Sequence, residues 1–272
     1  LGQLPGAPFV RSVATGVSGD GTIIVGLAAS SASGGTQPVR RAPGDNQWQP
    51  LPDLAGGQEG GEASAISTNG QVIVGWTFSA AAPGPDSFEA TRWVNGVPQG
   101  LGGLPGQPVL STATRTNTDG SVVVGYALGE RGPEAFRFTL ANGTVLGLGY
   151  LGAGQQTIAS GVSADGQIVV GEALDAAGAS RAFIWNPVIG VRDLREFLVS
   201  QQGLGAELAG WTLTNASDVS ADGVVIVGTG INPQGRTEAF RAVINPFCRV
   251  DFNSDGELTF DDVQSFIGAL NG

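Results

Sequence analysis

The segment from Asp251 reads DFNSDGELTFDD, and its oxygen-bearing side chains fall at the spacing that a twelve-residue calcium loop requires. Asp251, Asn253 and Asp255 take positions 1, 3 and 5, and Gly256 takes the sharp turn at position 6. Glu257 at position 7 offers its backbone carbonyl, Thr259 at position 9 acts directly or through water, and Asp262 closes the loop at position 12. This hard-oxygen set suits one Ca2+ ion, although Asp262 is one methylene shorter than the usual bidentate glutamate. Asp251, Asp255, Glu257, Asp261 and Asp262 crowd this short stretch and would repel one another without a cation. A helix is expected next, over 260–270, with Val263, Phe266, Ile267 and Leu270 on one face.

Other chemistry is restricted by composition. All 13 basic residues are arginine, and the chain has no lysine, histidine or methionine. A lysine Schiff base, a histidine general base and an imidazole metal ligand are therefore excluded. The single cysteine, Cys248, allows no internal disulfide. A net charge of −11 disfavours nucleic acid, because nothing is gained from phosphate neutralisation. No apolar run is long enough to span a membrane, so no membrane insertion is expected. The chain opens at Leu1 without methionine or a targeting segment, as a processed or trimmed form would.

Hydrolysis by paired carboxylates is the remaining catalytic option. Asp20, Asp119, Asp165 and Asp222 belong to turns, and Asp53, Glu59, Glu62, Asp86 and Glu172 fall in loops or at strand ends. Only Asp218 sits in the first strand of a repeat. Catalysis is not expected on this count.

The positioning elements are five copies of one hairpin: ATGVSGDGTIIVG from Ala14, ASAISTNGQVIVG from Ala63, ATRTNTDGSVVVG from Ala113, ASGVSADGQIVVG from Ala159 and ASDVSADGVVIVG from Ala216. Each has small residues, an Asp-Gly or Asn-Gly pair suited to a tight turn, and a β-branched run closed by glycine. The turn glycines Gly21, Gly70, Gly120, Gly166 and Gly223 lie 49, 50, 46 and 57 residues apart. That period, with about four strands per copy, is the signature of propeller blades. The third strand begins QPVRRA, EATRWV, EAFRFT, RAFIWN and EAFRAV in turn. In it, Arg92, Arg137 and Arg241 recur near Glu89, Glu134 and Glu238, as cross-strand charge pairs would. The Leu-x-x-Leu pieces from Leu51, Leu101 and Leu148, and LREF from Leu194, read as the fourth strand. The fifth copy lacks this piece, and the chain opens with a spare one, Leu1 to Leu4.

The expected fold is therefore all-β: a five-bladed β-propeller over 1–247 closed by the N-terminal strand, then a calcium loop and helix over 248–272. A short helix capped by Asp193 is expected between the fourth and fifth copies. Trp48, Trp76, Trp93, Trp185 and Trp211 are expected to be core between blades rather than a sugar platform.

The repeated Asp/Asn-Gly core, AFIW from Ala182 and GWTLTNASDVSADGVVIVGTGINPQG from Gly210 resemble the bacterial extracellular repeats of the HAF family. The chain departs where that family's histidine precedes Ala-Phe, carrying Glu134, Arg181 and Glu238 instead. The resemblance implies secretion or surface display in bacteria and supplies no catalytic residues. The segment from Asp251 resembles a single dockerin loop of EF-hand type, where Asp at the last position is common. Cys248 ahead of it resembles the early cysteine of planctomycete-type dockerins, whose late partner has no counterpart here.

These observations lead to a secreted or cell-surface, non-catalytic propeller that binds or scaffolds and is attached through a calcium-dependent C-terminal segment. Its expected partners are a protein receptor or further copies of the chain, reached through that segment or the N-terminal strand, and a glycan. Two alternatives stand beside it: a subunit of an extracellular polymer, and a carbohydrate-active enzyme using channel carboxylates.

Overall fold

The computed structural model describes residues 11–31, 35–81, 84 and 87–244, together with Leu4 and Gly6. The chain divides into two compact units, Leu1–Gly147 and Leu148–Gly272.

The first unit holds three four-stranded antiparallel sheets, each built in chain order. Sheet one is β1 (Ser12–Val17), β2 (Ile24–Ala29), β3 (Thr36–Arg41) and β4 (Gln49–Pro50). Sheet two is β5 (Gly61–Ile66), β6 (Val72–Phe78), β7 (Phe88–Val94) and β8 (Val97–Gly100). Sheet three is β9 (Ser111–Thr116), β10 (Val122–Leu128), β11 (Pro133–Thr139) and β12 (Thr144–Gly147). Their faces alternate apolar residues that meet across the gaps between sheets. Val25 packs with Ala63, Ile73 and Trp93 between sheets one and two. Val74 and Ala90 pack with Ala113, Val123 and Phe136 between sheets two and three.

The second unit holds β13 (Gln156–Val162), β14 (Val169–Leu174), β15 (Ser180–Asn186) and β16 (Gly190–Asp193) as a fourth sheet. A fifth sheet of β17 (Thr212–Val219), β18 (Val225–Ile231) and β19 (Thr237–Val243) shows three strands among the described residues. Helix α1 (Leu194–Gln202) joins them, and buries Leu194, Phe197 and Leu198. The Asp193 carboxylate accepts from the Glu196 amide, and Gly203 at φ 71° ends the helix. This is the helix expected at Asp193, and LREF lies within it rather than in a strand.

The five repeated hairpins share one mechanism. In the first, the Asp20 carboxylate accepts from the Ser18 hydroxyl and the Thr22 amide, while Ser18 Oγ accepts from the Ile23 amide. Ser67 with Asn69, Ser163 with Asp165 and Ser220 with Asp222 repeat the scheme. In the third copy Asn117 takes the place of serine. Only the glycine of each pair takes positive φ, 69° to 79°. The loops are thus longer turns ended by a left-handed glycine, not two-residue turns. A two-residue turn of that kind occurs instead at Asn95-Gly96, both at positive φ, between β7 and β8.

Two strand boundaries differ from the sequence reading. The glycine after each β-branched run is interior to its strand, because the strand continues beyond it, as Tyr126 to Leu128 do after Gly125. Each such glycine faces a β-bulge in the first strand, for example between Ala159 and Gly161 opposite Gly171. The fourth strands are β4, β8, β12 and β16, which precede the Leu-x-x-Leu pieces. Those pieces are the crossovers to the next sheet, and their leucines drop into its core, as Leu104 does beside Val123 and Phe136. Leu4 is buried in the same way, against Ala28, Val39 and Trp48.

One crossover carries a titratable strain. Asp53 Oδ2 accepts from the Gly60 amide at 3.2 Å, while its other oxygen is buried with no hydrogen bond among the described residues. Burial, reinforced by Glu59, pushes the Asp53 carboxyl up to about 6. The folded chain therefore holds this proton more tightly than the unfolded chain does. Stability should rise as pH falls through 6 towards the unfolded value near 4. The full linkage is roughly 3 kcal/mol, which solvent screening at this half-exposed site trims to about 1 kcal/mol. Asp53→Asn should accordingly be about 1 kcal/mol more stable than the parent at neutral pH, and this advantage should vanish near pH 4. Thermal unfolding of both proteins across that range checks it.

Candidate binding groove

The strands β1, β5 and β9 are each the first of their sheet, and β5 packs beside both of the others. Over them lies an open groove of about 430 Å3. Its position follows from register. Glu62 on β5 stands directly opposite Trp76 on β6, and Thr112 on β9 directly opposite Tyr126 on β10. Gly75 makes the first pairing close, since a Cβ there would lie 1.9 Å from the Glu62 carbonyl oxygen. Both pairs line the groove, joined by Ser64 and Arg115.

The aromatic wall is held from behind. Trp76 meets Phe78 edge-on, with ring centroids 5.6 Å apart, and Phe88 at 5.4 Å. Arg115 donates to the Thr114 carbonyl at 2.9 Å. On β1, the Thr15 hydroxyl donates to the Ala63 carbonyl of sheet two, tying the groove floor together. Burial raises the Glu62 carboxyl above the usual carboxylate range, with the Arg11 charge opposing. Among the described residues, no hydrogen bond satisfies the Glu62 carboxylate, the Ser64 or Tyr126 hydroxyl, or the Trp76 indole N–H. A half-buried wall of unused donors and acceptors is suited to binding a polar molecule.

Glu62 corrects the sequence count of acids, since it lies inside a first strand, as Asp218 does in β17. Glu172 likewise lies inside β14, accepting from the Ser180 hydroxyl at 2.7 Å. Trp76 is a correction too, being a groove wall rather than core, whereas Trp48, Trp93 and Trp185 are buried as expected. Trp211 packs at the edge of the second unit's core. A signal was available: the residue after the strand glycine is Leu27, Trp76, Tyr126, Glu172 and Thr229 in turn, a variable site within a regular repeat.

The turn acids behave as turn residues. Hydrogen bonds from Ser18 and Thr22 hold the Asp20 carboxyl below its ordinary value, and those from Ser121 do the same for Asp119. The expected Glu89–Arg92 pair does not form, because residues three apart on a strand point to opposite faces. Glu89 instead accepts from the Ser79 hydroxyl and the Gly102 amide. Arg92 is 4% exposed, its Nε and Nη1 have no hydrogen-bond partner among the described residues, and desolvation lowers its pKa. Arg181 pairs instead with Asp175, and Arg236 with Glu238. The calcium-loop residues Asp251, Asn253, Asp255, Glu257, Thr259 and Asp262, with Asp86 and Cys248, lie outside the described residues.

Stacked four-stranded antiparallel sheets joined in chain order define the class: the fold is a β-propeller. Solved structures agree. A protein described as TolB from Agrobacterium tumefaciens matches with a TM-score of 0.53 at 12% identity, over 86% of this chain and 82% of that one. TolB from Acinetobacter baumannii matches at 0.53 and 14% identity, over 87% of this chain, which spans 55% of that one. The β-propeller domain of the Trilobed protease from Pyrococcus furiosus, described as having an open velcro topology, matches at 0.53 and 10% identity, over 85% and 66%. Identity this low carries the fold and nothing more. No protein-family model and no curated protein matches the chain.

Proposed function

We propose that the chain is a non-catalytic binding and scaffold propeller, secreted or displayed on a bacterial surface. Its five sheets form one ring over 1–247, closed at the N-terminal segment. A calcium-dependent segment over 248–272, of the dockerin type, attaches it to a receptor or to other copies, and the repeats are of the HAF type. The groove carries the reading: it offers unused hydrogen-bonding groups beside aromatic rings, and among the described residues Glu62 is the one acid that lines it. Hydrolysis of a glycoside needs two carboxylates flanking the bond, so the groove favours binding over catalysis.

The calcium set rests on ligand spacing alone, with Asp251, Asn253, Asp255, Glu257, Thr259 and Asp262 as ligands. An ion bound only by the folded segment stabilises it by about 2.7 kcal/mol at a hundredfold excess over Kd. Trypsin cleavage after Arg249 should then slow by roughly tenfold or more in calcium compared with chelator. An unchanged cleavage rate would remove calcium from the proposal.

A second reading, a polymer subunit, is favoured by one observation. Among the described residues β19 has no partner on its outer side, and Val227, Ile231 and Val243 of sheet five are exposed. Such an edge can accept a strand from another copy. Light scattering on the same samples separates the two: monomers support closure within one chain, and elongated assemblies support the polymer.

A further inference from the structure

We infer that the groove over β1, β5 and β9 is a binding site for a neutral saccharide, with room for one or two pyranose rings. This names the ligand class of the binding module proposed above and rests on that reading.

The groove's chemistry is amphipathic at the scale of a sugar ring. Trp76, fixed by Phe78 and Phe88, and Tyr126 supply rigid apolar surface at little entropic cost. A pyranose has an apolar C–H face that such rings cover. Its hydroxyls need both donors and acceptors at the rim. Glu62 is an acceptor able to take two neighbouring hydroxyls, and Ser64 and Tyr126 act either way. Arg115 spends one N–H on Thr114 and has further donors to offer. The volume of about 430 Å3 lies in the range of small-ligand sites.

Charge then selects among polar ligands. The described lining carries one acid, Glu62, already opposed by the Arg11 charge, and one base, Arg115, so no cluster of like charge awaits an ionic ligand. The chain's charge of −11 further disfavours phosphorylated, sulfated or uronate ligands. A neutral polyol with an apolar face fits all of these conditions.

Saturation-transfer NMR on the full chain, with maltose, cellobiose, lactose, mannobiose and chitobiose as probes, tests the assignment. At least one should bind with Kd in the range of about 0.1 to 10 mM. Trp76→Ala should weaken that binding at least roughly tenfold. Glu62→Gln, which keeps the shape and removes the charge, should weaken it roughly fivefold. The Glu62→Gln result stands on its own if Trp76→Ala fails to fold. No transfer to any of the five probes, or binding that neither variant alters, overturns the assignment. Released monosaccharide would overturn the non-catalytic reading and leave the groove assignment standing. A calcium-insensitive tail would remove the attachment claim without touching either.

Discussion

Gly171→Ala should destabilise the second unit by about 3 kcal/mol or more. A Cβ at Gly171 would sit 2.0 Å from the Ile158 carbonyl oxygen and 2.8 Å from Phe183 Cε1. Neither can withdraw cheaply. The oxygen is backbone in a neighbouring strand, and Phe183 is fully buried. The β-bulge between Ala159 and Gly161 is what brings the two strands so close. Relief would require separating β13 from β14 along the pairs that flank the bulge. A control distinguishes crowding from backbone preference. Gly178 has open space around it but a φ of 78°, so Gly178→Ala should cost only about 1 kcal/mol. Denaturant unfolding of both variants reads the difference, and equal losses would show that crowding at the bulge is not the cause.

Trp93→Ala should cost about 3 to 5 kcal/mol, the range for truncating a buried aromatic side chain. Trp93 is 1% exposed and fills the space between sheets one and two, against Val25, Leu51 and Ile73. Its indole N–H donates to the Pro52 carbonyl at 2.7 Å. Packing dominates over that bond. Trp93→Phe removes the bond but keeps most of the volume, and Pro52 is exposed enough for water to replace the donor. That variant should lose only about 1 to 2 kcal/mol. If Phe and Ala cost the same, the hydrogen bond rather than the filled volume is holding the sheets together.

The repeat was legible because its hairpin chemistry is local. Ser18, Asp20 and Gly21 satisfy one another within a few residues, so the sequence displays the whole device. Strand limits were harder to read. A glycine ending VVVG or IVVG looks like a terminator, yet Tyr126 and Ala127 continue the strand beyond Gly125. The cause is the bulge on the partner strand, a non-local contact. Leu-x-x-Leu was conspicuous because leucines such as Leu51 and Leu104 are buried, but burial there belongs to crossovers. The true fourth strands carry a weaker signal, since QP and VPQG are mostly exposed and only Val145 of TVLG is buried in the core. The groove was half visible. Glu62 and Trp76 are fourteen residues apart in sequence, and only the register that makes them opposite reveals a wall.

The hairpin tips of successive sheets are also stitched together. The Gly19 amide donates to the Thr68 carbonyl at 2.8 Å and the Asn69 amide to Thr118 at 3.2 Å in the first unit. Ala164 does the same to Ala221 at 2.9 Å in the second. These links use main-chain atoms alone, so they hold whatever side chains the tips carry. The connections at the other end of the same strands already differ in length between copies, spanning residues 30–35 between β2 and β3, 79–87 between β6 and β7 and 129–132 between β10 and β11. Anyone grafting a new specificity onto this scaffold should lengthen those connections and leave the Asp-Gly ends alone.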